Sequence, residues 1–291
     1  MSSFMLRDQT RRAATQYRAL CETAAAMDIT PVFSHTSALA YWGVAAPDDC
    51  TLPSDVQHIS FPSGAKRRRF DNVASHVWSG EFATTDLVNG FVVAEPPMAW
   101  AQIAAHCSEE SLAVTAGALM SRDPQRRTAT LDELVSYVER NTGFIGRSRC
   151  TATIPLLAQN TDSPPESVVY VLVLRNGLGK PEPNHRVDVG PDRYYLIDIA
   201  YPDIRLGIEY QGAYHADTDR MRADCTRWNA LRRLGWEIVL VTADDLRTEA
   251  AKRLIVEDIR FKMERQSALM GLARSYNVSP IHTFGRYDPV N

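Results

Sequence analysis

Two carboxylates stand in short apolar runs of the second half of the chain, where buried strands ordinarily carry none. Asp198 lies in the run 194–202, Glu209 lies in the run 207–212, and a Pro-Asp turn separates the two runs. Burying an ionised carboxylate in such a strand is costly unless a cation or a hydrogen-bond donor pairs with it. Oxygen ligands on adjacent strands suit magnesium. These two residues are therefore the first candidates for a metal site.

The elements around them are predicted to alternate between strands and helices. Apolar patterning predicts strands at 185–189, 194–200, 205–210 and 236–241. Ser163, Pro164 and Glu166 begin one helix by a capping-box pattern, a second helix is predicted at 217–234, and Thr242 caps a last long helix to about residue 270. The result is an α/β layer fold in which a hairpin brings Asp198 within reach of Glu209.

The first half reads as a mixture of small helices and strands. Helices are predicted at 8–27, 97–106 and 109–120, and strands at 56–62 and 73–78. Ser34 is placed to cap a short helix that Gly43 ends, and Thr130 begins another helix by a capping-box pattern. The polar segment 159–165 is the best linker candidate. We therefore expect a mainly helical α+β domain at 1–155, an α/β domain at 156–270 and a tail at 271–291.

Composition narrows the functional classes. The 291 residues are 45% hydrophobic and 23% charged, the balance of a globular protein with a core, which excludes disordered and fibrous classes. The longest apolar run is too short to cross a bilayer and the first residues lack a signal-peptide core, so we expect a cytoplasmic protein without a membrane partner. The five cysteines contain no Cys-x-x-Cys, so neither a zinc knuckle nor a disulfide framework is indicated.

Charge limits where nucleic acid could bind. The formal net charge of −3 argues against a globally basic surface, so any DNA contact must be local. The run Lys66, Arg67, Arg68 and Arg69 lies between two predicted strands and is a candidate contact. The ordinary alternative is a solvated hairpin tip.

An ordered set of motifs in the second half resembles a known nuclease superfamily. The set comprises Glu166, the segment 177–181, Asp198, the segment 209–212, His215, Asp224 with Arg227, and the segment 231–236. It resembles the PD-(D/E)XK superfamily, specifically its branch similar to very-short-patch-repair (Vsr) endonucleases, over about residues 160–245. The first half is similar, mainly through the segment 34–43, to the region related to abortive-infection antitoxins that often precedes this domain.

This resemblance implies a restriction-endonuclease-like fold, a mixed central sheet flanked by helices, that binds DNA. It also implies a metal ion, Mg²⁺ with Mn²⁺ as a substitute, held by Asp198, Glu209, the Tyr210 carbonyl and Glu166. Such an ion would activate a water and neutralise charge on a scissile phosphate. Asp224 and Arg227 would support the site, Asp224 by orienting His215 or a second metal's water and Arg227 by meeting a phosphate.

The sequence departs from the superfamily pattern at Gln211, where lysine or, in this branch, aspartate is more usual. An amide can orient a water or hold a phosphate oxygen, but it cannot serve as a cationic stabiliser or a general base. His215, four residues beyond Gln211, is therefore the candidate for the general base or for protonating the leaving oxygen, because histidine titrates near neutral pH.

Ordinary structural roles remain open for several of these residues. Glu166 can complete the capping box with Ser163 without any metal. Asp224 and Arg227 can form an exposed salt bridge on one helix face, His215 can be a surface histidine, and Gln211 can face solvent. We expect the protein to be a metal-dependent DNA endonuclease in which the first half of the chain recognises DNA or a protein partner. The alternative is a non-catalytic DNA-binding regulator, or antitoxin-like protein, on a decayed nuclease fold.

Overall fold

The computed structural model describes residues 2–212 and 218–271 and divides into two compact units, Met1–Ser167 and Val168–Asn291. In the part of the chain that is described, each unit contains a mixed four-stranded sheet and helices, so the protein is α/β. None of the helices in these ranges combines the length and apolar character needed to cross a membrane.

The first unit has a sheet with strand order β3-β2-β1-β4. Its helices are α1 (Ser2–Ala25), α2 (His35–Tyr41), α3 (Pro96–Ile103), α4 (Glu109–Leu119), α5 (Leu131–Arg140) and α6 (Arg147–Thr153). Its strands are β1 (Val32–Phe33), β2 (Gln57–Pro62), β3 (Val73–Trp78) and β4 (Val92–Val93). The pair β1–β2 is antiparallel, whereas β2–β3 and β1–β4 are parallel.

The capping box predicted at Thr130 is confirmed. The Thr130 hydroxyl accepts the Glu133 N–H at 3.3 Å, and the Glu133 carboxylate accepts the Thr130 N–H at 2.7 Å. The two reciprocal bonds satisfy two backbone donors that a helix N-terminus would otherwise leave without partners. They explain why α5 begins at Leu131.

Ser34 occupies the N-cap position of α2, as predicted, but the prediction that its side chain caps the helix is wrong. Its side chain makes no capping hydrogen bond. The hydroxyl instead contacts His35 Nδ1 at 2.9 Å and accepts a hydrogen bond from the Ser60 hydroxyl at 2.9 Å. A buried polar cluster therefore uses the group that the local sequence offered to the helix.

The hairpin considered for the basic run is also wrong. Strands β2 and β3 lie close to the predicted bounds, but they pair in parallel, with Gln57 beside Val73. Parallel neighbours require a connection that returns along the strand rather than a tight reversal. The run Lys66, Arg67, Arg68 and Arg69 therefore lies in an exposed return connection.

The second unit has a sheet with strand order β5-β6-β7-β8, in which only β7 and β8 are parallel. Helix α7 (Pro164–Arg175) contains the division between the units. The remaining elements are β5 (Glu182–Gly190), β6 (Arg193–Tyr201), β7 (Leu206–Gln211), α8 (Thr218–Arg233), β8 (Glu237–Thr242), α9 (Ala243–Arg247) and α10 (Glu249–Leu269). The predicted order of helix, three strands, helix and strand is confirmed as far as β8.

Helices pack on this sheet through its buried apolar residues. Helix α8 packs against β5 and β8, and α10 packs against β7 and β8. Leu231 of α8 joins a core with Val187, Ile197, Ala200 and Trp236. Burying such apolar side chains stabilises the layer by roughly 1.5–3 kcal/mol for each large one. This packing places α8 across one face of the sheet.

The long helix predicted to begin at Thr242 is wrong at its start. Thr242 caps the short helix α9 through a capping box with Asp245, whose carboxylate accepts the Thr242 N–H at 2.8 Å. The long helix α10 has its own N-cap, because the Thr248 hydroxyl accepts the Ala251 N–H at 3.1 Å. Two successive caps therefore divide a segment whose apolar pattern alone looks continuous.

Candidate active site

The turn between β6 and β7 fixes the register that places the two candidate carboxylates opposite each other. It is a single 3₁₀ turn, Pro202–Ile204, followed by Arg205 with a left-handed φ of 49°. The antiparallel ladder leaving the turn pairs Tyr201 with Leu206, Ala200 with Gly207 and Ile199 with Ile208. The next position holds Asp198 on β6 and Glu209 on β7, so the two carboxylates follow the last backbone pair of the ladder.

Asp198 uses its carboxylate to hold the neighbouring strand. Its Oδ2 accepts the backbone N–H of Tyr210 at 2.9 Å. Beyond this point β7 continues beside β8, where Glu209 pairs with Leu240 and Gln211 with Thr242. The side chain of Asp198 therefore supplies a bond to β7 where backbone pairing between β6 and β7 has ended.

Glu209 is a buried charged residue with contacts on both carboxylate oxygens. It is 2% exposed. Its Oε2 accepts a hydrogen bond from the indole N–H of Trp228 at 3.3 Å, and its Oε1 lies 2.7 Å from Nη2 of Arg227. That second contact is an ion pair by distance, but no donor among the described residues reaches Oε1 with hydrogen-bond geometry. The oxygen is thus electrostatically compensated and still able to accept another ligand.

The surroundings of Glu209 act on its pKa in opposite directions. Burial raises the pKa of this carboxyl above its ordinary value, and this effect dominates. Arg227 and the Trp228 N–H lower it, while the nearby charge of Asp224 raises it. Asp198, Glu209, Asp224, Arg227 and Trp228 together form what we call the carboxylate centre.

Arg227 connects α8 to the sheet. Its side chain is 25% exposed, and Nη2 donates to the Leu196 carbonyl as well as contacting Glu209. Its guanidinium carbon lies 5.8 Å from the centroid of the Tyr195 ring, and its Nε is buried without a hydrogen-bond partner among the described residues. The partner of Arg227 is therefore Glu209, not the exposed salt bridge with Asp224 that helical spacing offered.

Two other predicted site residues, Tyr210 and Gln211, also lie on β7. Gln211 and Tyr210 are half-buried at the end of β7, on the strand that carries Glu209. Ligation by the Tyr210 carbonyl stays a prediction. His215 lies outside the described residues.

Glu166 occupies the first turn of α7, as predicted. Its two carboxylate oxygens accept the Asp162 N–H and the Ser163 hydroxyl, each at 2.7 Å. The residue is 4% exposed, so these local donors reduce the cost of burying its carboxylate. Glu166 thus contacts the residues just before α7, through the Ser163 hydroxyl and the Asp162 N–H.

The carboxylate centre provides the oxygen ligands that a divalent cation prefers, but it does not form a complete set of metal ligands among the described residues. Among the described residues, no group of three or more His, Cys, Asp or Glu side chains is arranged to hold a metal. Glu209 Oε1 nevertheless has unused accepting capacity beside a second strand carboxylate. Carboxylate and carbonyl oxygens are the ligands that Mg²⁺ and Mn²⁺ prefer. A cation bound at Oε1 would meet the oxygen that Arg227 contacts.

The basic run lies in the other unit and is exposed throughout. Arg68 pairs with Asp28 at 2.7 Å, and its guanidinium carbon lies 5.2 Å from the centroid of the Phe70 ring. Its carboxylate partner reduces the positive charge that Arg68 adds to this surface.

A second buried polar group was missed by the sequence reasoning. His35, His58, His76 and His106 come together in the first unit as what we call the histidine cluster. The ring centroids of His76, His58 and His106 lie 4.0, 6.0 and 6.1 Å from that of His35. His35 is 4% exposed and has a left-handed φ of 52°. No spacing signal links residues so far apart along the chain.

Hydrogen bonds fix the protons of two of these rings. His58 Nε2 lies 2.9 Å from the Pro53 carbonyl, which can only accept, so Nε2 carries the proton. In neutral His58 the other nitrogen, Nδ1, then accepts from Nε2 of His76 at 2.9 Å. Burial lowers the pKa of His35 well below its ordinary value and lowers that of His76 to about 4. Burial also lowers the pKa of His58 and His106.

Two curated relatives are similar to this chain, "Uncharacterized protein MT2308" and "Uncharacterized protein Rv2248", from two strains of Mycobacterium tuberculosis. Each is 31% identical over 121 residues, which is 41% of this chain. The match spans 45% of each relative, less than half of its length. No known family model and no solved structure matches the chain.

Proposed function

We propose that this protein is a metal-dependent DNA endonuclease whose active site is the carboxylate centre, at the point where backbone pairing between β6 and β7 stops. The observation that carries the proposal is the burial of Glu209, which is 2% exposed. Glu209 on β7 and Asp198 on β6 directly follow the last backbone pair between these two strands. A protein with only structural needs gains little from a buried acid at this place, because burying the charge is costly. The motif resemblance to PD-(D/E)XK, Vsr-like nucleases with a restriction-endonuclease-like fold supports the same function.

Within this proposal the described residues have distinct roles. Asp198, Glu209 and the Tyr210 carbonyl hold Mg²⁺, or Mn²⁺ in its place. When bound, the ion supplies an activated water and neutralises charge on the scissile phosphate. Arg227 contributes a cationic group toward phosphate oxygens and Gln211 orients a water. The two local donors on Glu166 favour a helix-start role for that residue.

The remaining roles rest on the sequence. His215 is the candidate general base, and Asp224 is placed one helical turn before Arg227 to support it. The first half recognises DNA or a protein partner in the manner of antitoxin-like regions, with the basic run as a phosphate contact. A cytoplasmic location agrees with DNA as the substrate.

Cleavage of supercoiled plasmid, linear duplex and single-stranded DNA with Mg²⁺, Mn²⁺ or chelator tests the proposal. We expect metal-dependent cleavage by the wild-type protein, and a loss of about 10³-fold or more in Asp198→Asn and Glu209→Gln, because each removes an anionic ligand. The matched control is Asp203→Asn, which removes an exposed carboxylate from the turn of the same hairpin. Full activity in either site variant would rule out this centre.

One observation favours the competing function, a non-catalytic DNA-binding regulator. The Arg227–Glu209 ion pair already compensates the buried carboxylate without a metal. On this alternative, DNA binding falls steeply with salt and is equal in Mg²⁺ and in chelator, since phosphate contacts alone carry it. DNA binding without cleavage of any of the three substrates would establish the regulator.

A further inference from the structure

Arg227 and a metal ion have to use the same oxygen of Glu209. Arg227 Nη2 lies 2.7 Å from Oε1, the oxygen that lacks a partner with hydrogen-bond geometry. The other oxygen, Oε2, accepts the Trp228 N–H at 3.3 Å. The unused coordination capacity of the carboxylate is therefore at the oxygen that the guanidinium contacts.

Arg227 does not pair with Glu209 in the optimal two-bond geometry. Its Nε is buried and has no hydrogen-bond partner among the described residues. A guanidinium that pairs optimally with a carboxylate presents two parallel N–H groups to it, whereas here a single terminal nitrogen serves both Glu209 and the Leu196 carbonyl. The buried Nε–H gains a partner only if the side chain or its surroundings rearrange.

We propose that Arg227 is a positioning residue that substitutes for the metal ion in the metal-free protein and leaves Glu209 when a divalent cation binds. The inference rests on the proposed metal site. It adds a defined exchange, in which the cation takes over Glu209 Oε1 and the released guanidinium becomes available to an anionic oxygen of the DNA. Metal binding and phosphate binding are then coupled through one side chain.

The proposed exchange predicts that removing the Arg227 guanidinium tightens metal binding. In Arg227→Met, a titration with Mn²⁺ alone, followed by calorimetry or by the electron paramagnetic resonance of free Mn²⁺, should show about tenfold or tighter binding than in the wild-type protein, because no positive group has to be displaced. Arg233→Met is the matched control at the exposed end of the same helix and should leave Mn²⁺ affinity unchanged. Unchanged or weaker binding in Arg227→Met would overturn the exchange.

Thermal unfolding supplies a second readout. Without metal, Arg227→Met should melt at a lower temperature than the wild-type protein, because it leaves Glu209 buried without its counter-charge. Saturating Mn²⁺ should raise its melting temperature by more than it raises that of the wild type. Glu209→Gln/Arg227→Met carries neither charge, so it should fold without metal and show no Mn²⁺ stabilisation. Equal Mn²⁺ stabilisation of the double variant would place the ion elsewhere and overturn the exchange.

A measurement on the wild-type protein keeps the test independent of whether Arg227→Met folds. The arginine Nε–H signals in ¹H–¹⁵N spectra, assigned with Arg227→Lys, should show a shift of the Arg227 signal upon Mg²⁺ titration while that of Arg233 stays in place. Metal binding that leaves the Arg227 signal unmoved would overturn the exchange. Metal binding with the expected shift but no DNA cleavage would refute the nuclease function and leave the exchange standing.

Discussion

The carboxylate centre and the histidine cluster bury polar groups by opposite means. In the carboxylate centre, Glu209 is 2% exposed and lies 2.7 Å from the guanidinium of Arg227, so a charge is compensated by a counter-charge. In the histidine cluster, burial lowers the pKa of all four rings, so they remain neutral near pH 7. A buried group either finds a partner or gives up its charge. Only the first solution keeps an anion available for chemistry.

The largest effect should come from breaking the ion pair on one side only. Glu209→Gln or Arg227→Met should each lower the free energy of unfolding by about 3–5 kcal/mol, because the other charge is left buried without its partner. The double variant should lose about 1–3 kcal/mol less than the sum of the single losses. Urea unfolding of the three variants measures both quantities.

The matched control for this cycle is the Glu237–Arg265 pair of the same unit. Its atoms are 2.9 Å apart, but its side chains are 31% and 49% exposed. Exposed pairs contribute about 0–1 kcal/mol, so Glu237→Gln and Arg265→Met should have small effects. Similar losses for the two pairs would show that burial does not set the energy of the Glu209 contact.

The histidine cluster should make the first unit sensitive to acid. Its pKa values lie below the ordinary 6.5, down to about 4 for His76, so the unfolded chain binds more protons below pH 6.5. The stability is fully present above about pH 6.5 and is lost as the pH falls toward about 4. Nearby Arg67 adds to the shift at His76, and Arg149 adds to that at His106. Hydrogen exchange of β2 and β3, measured between pH 7 and 5, should show the loss.

His76→Gln provides the variant for that experiment, since its amide can still donate to His58 but cannot titrate. Acid should reduce protection in β2 and β3 less in this variant than in the wild type. His185→Gln, in the other unit, should not change the acid response of these strands. An identical acid response in His76→Gln and wild type would exclude His76 as a source of the effect.

The sequence predicted the second sheet well because its signals are local. Apolar runs and a Pro-Asp turn define β6 and β7, and their register places Asp198 and Glu209 next to the last backbone pair. The parallel pairing of β2 with β3 was not predictable, because a short polar connection indicates a hairpin as readily as a return. The Arg227–Glu209 contact and the histidine cluster depend on tertiary packing, which helix spacing and strand alternation do not encode.

A smaller effect should follow from removing the hydrogen bond between Trp228 and Glu209. Trp228→Phe keeps an aromatic ring but loses the indole N–H that lies 3.3 Å from Oε2. The expected loss is about 0.5–1.5 kcal/mol, the contribution of one hydrogen bond, because Arg227 still compensates the charge. Urea unfolding provides the measurement, and Trp236→Phe is the control for a change in ring size, since its position before β8 lies in the apolar core. A loss as large as that of Arg227→Met would assign the indole, rather than the guanidinium, the main role in holding Glu209.

The smallest effect on stability should come from Arg68, where an ion pair lies in the open. Arg68 and Asp28 are 2.7 Å apart with side chains 43% and 71% exposed, so Arg68→Gln should change the free energy of unfolding by less than about 1 kcal/mol. If the basic run contacts DNA, the same substitution should weaken duplex binding and reduce the slope of log affinity against log salt by about 0.9, the value for one phosphate contact. Asp28→Asn separates the two roles, because it breaks the ion pair but leaves the cation for DNA. Tighter DNA binding in Asp28→Asn with weaker binding in Arg68→Gln would identify this surface as a phosphate contact. Equal affinity in both variants would limit Arg68 to its exposed ion pair with Asp28. Such a pair contributes far less to stability than the buried pair of Arg227 with Glu209.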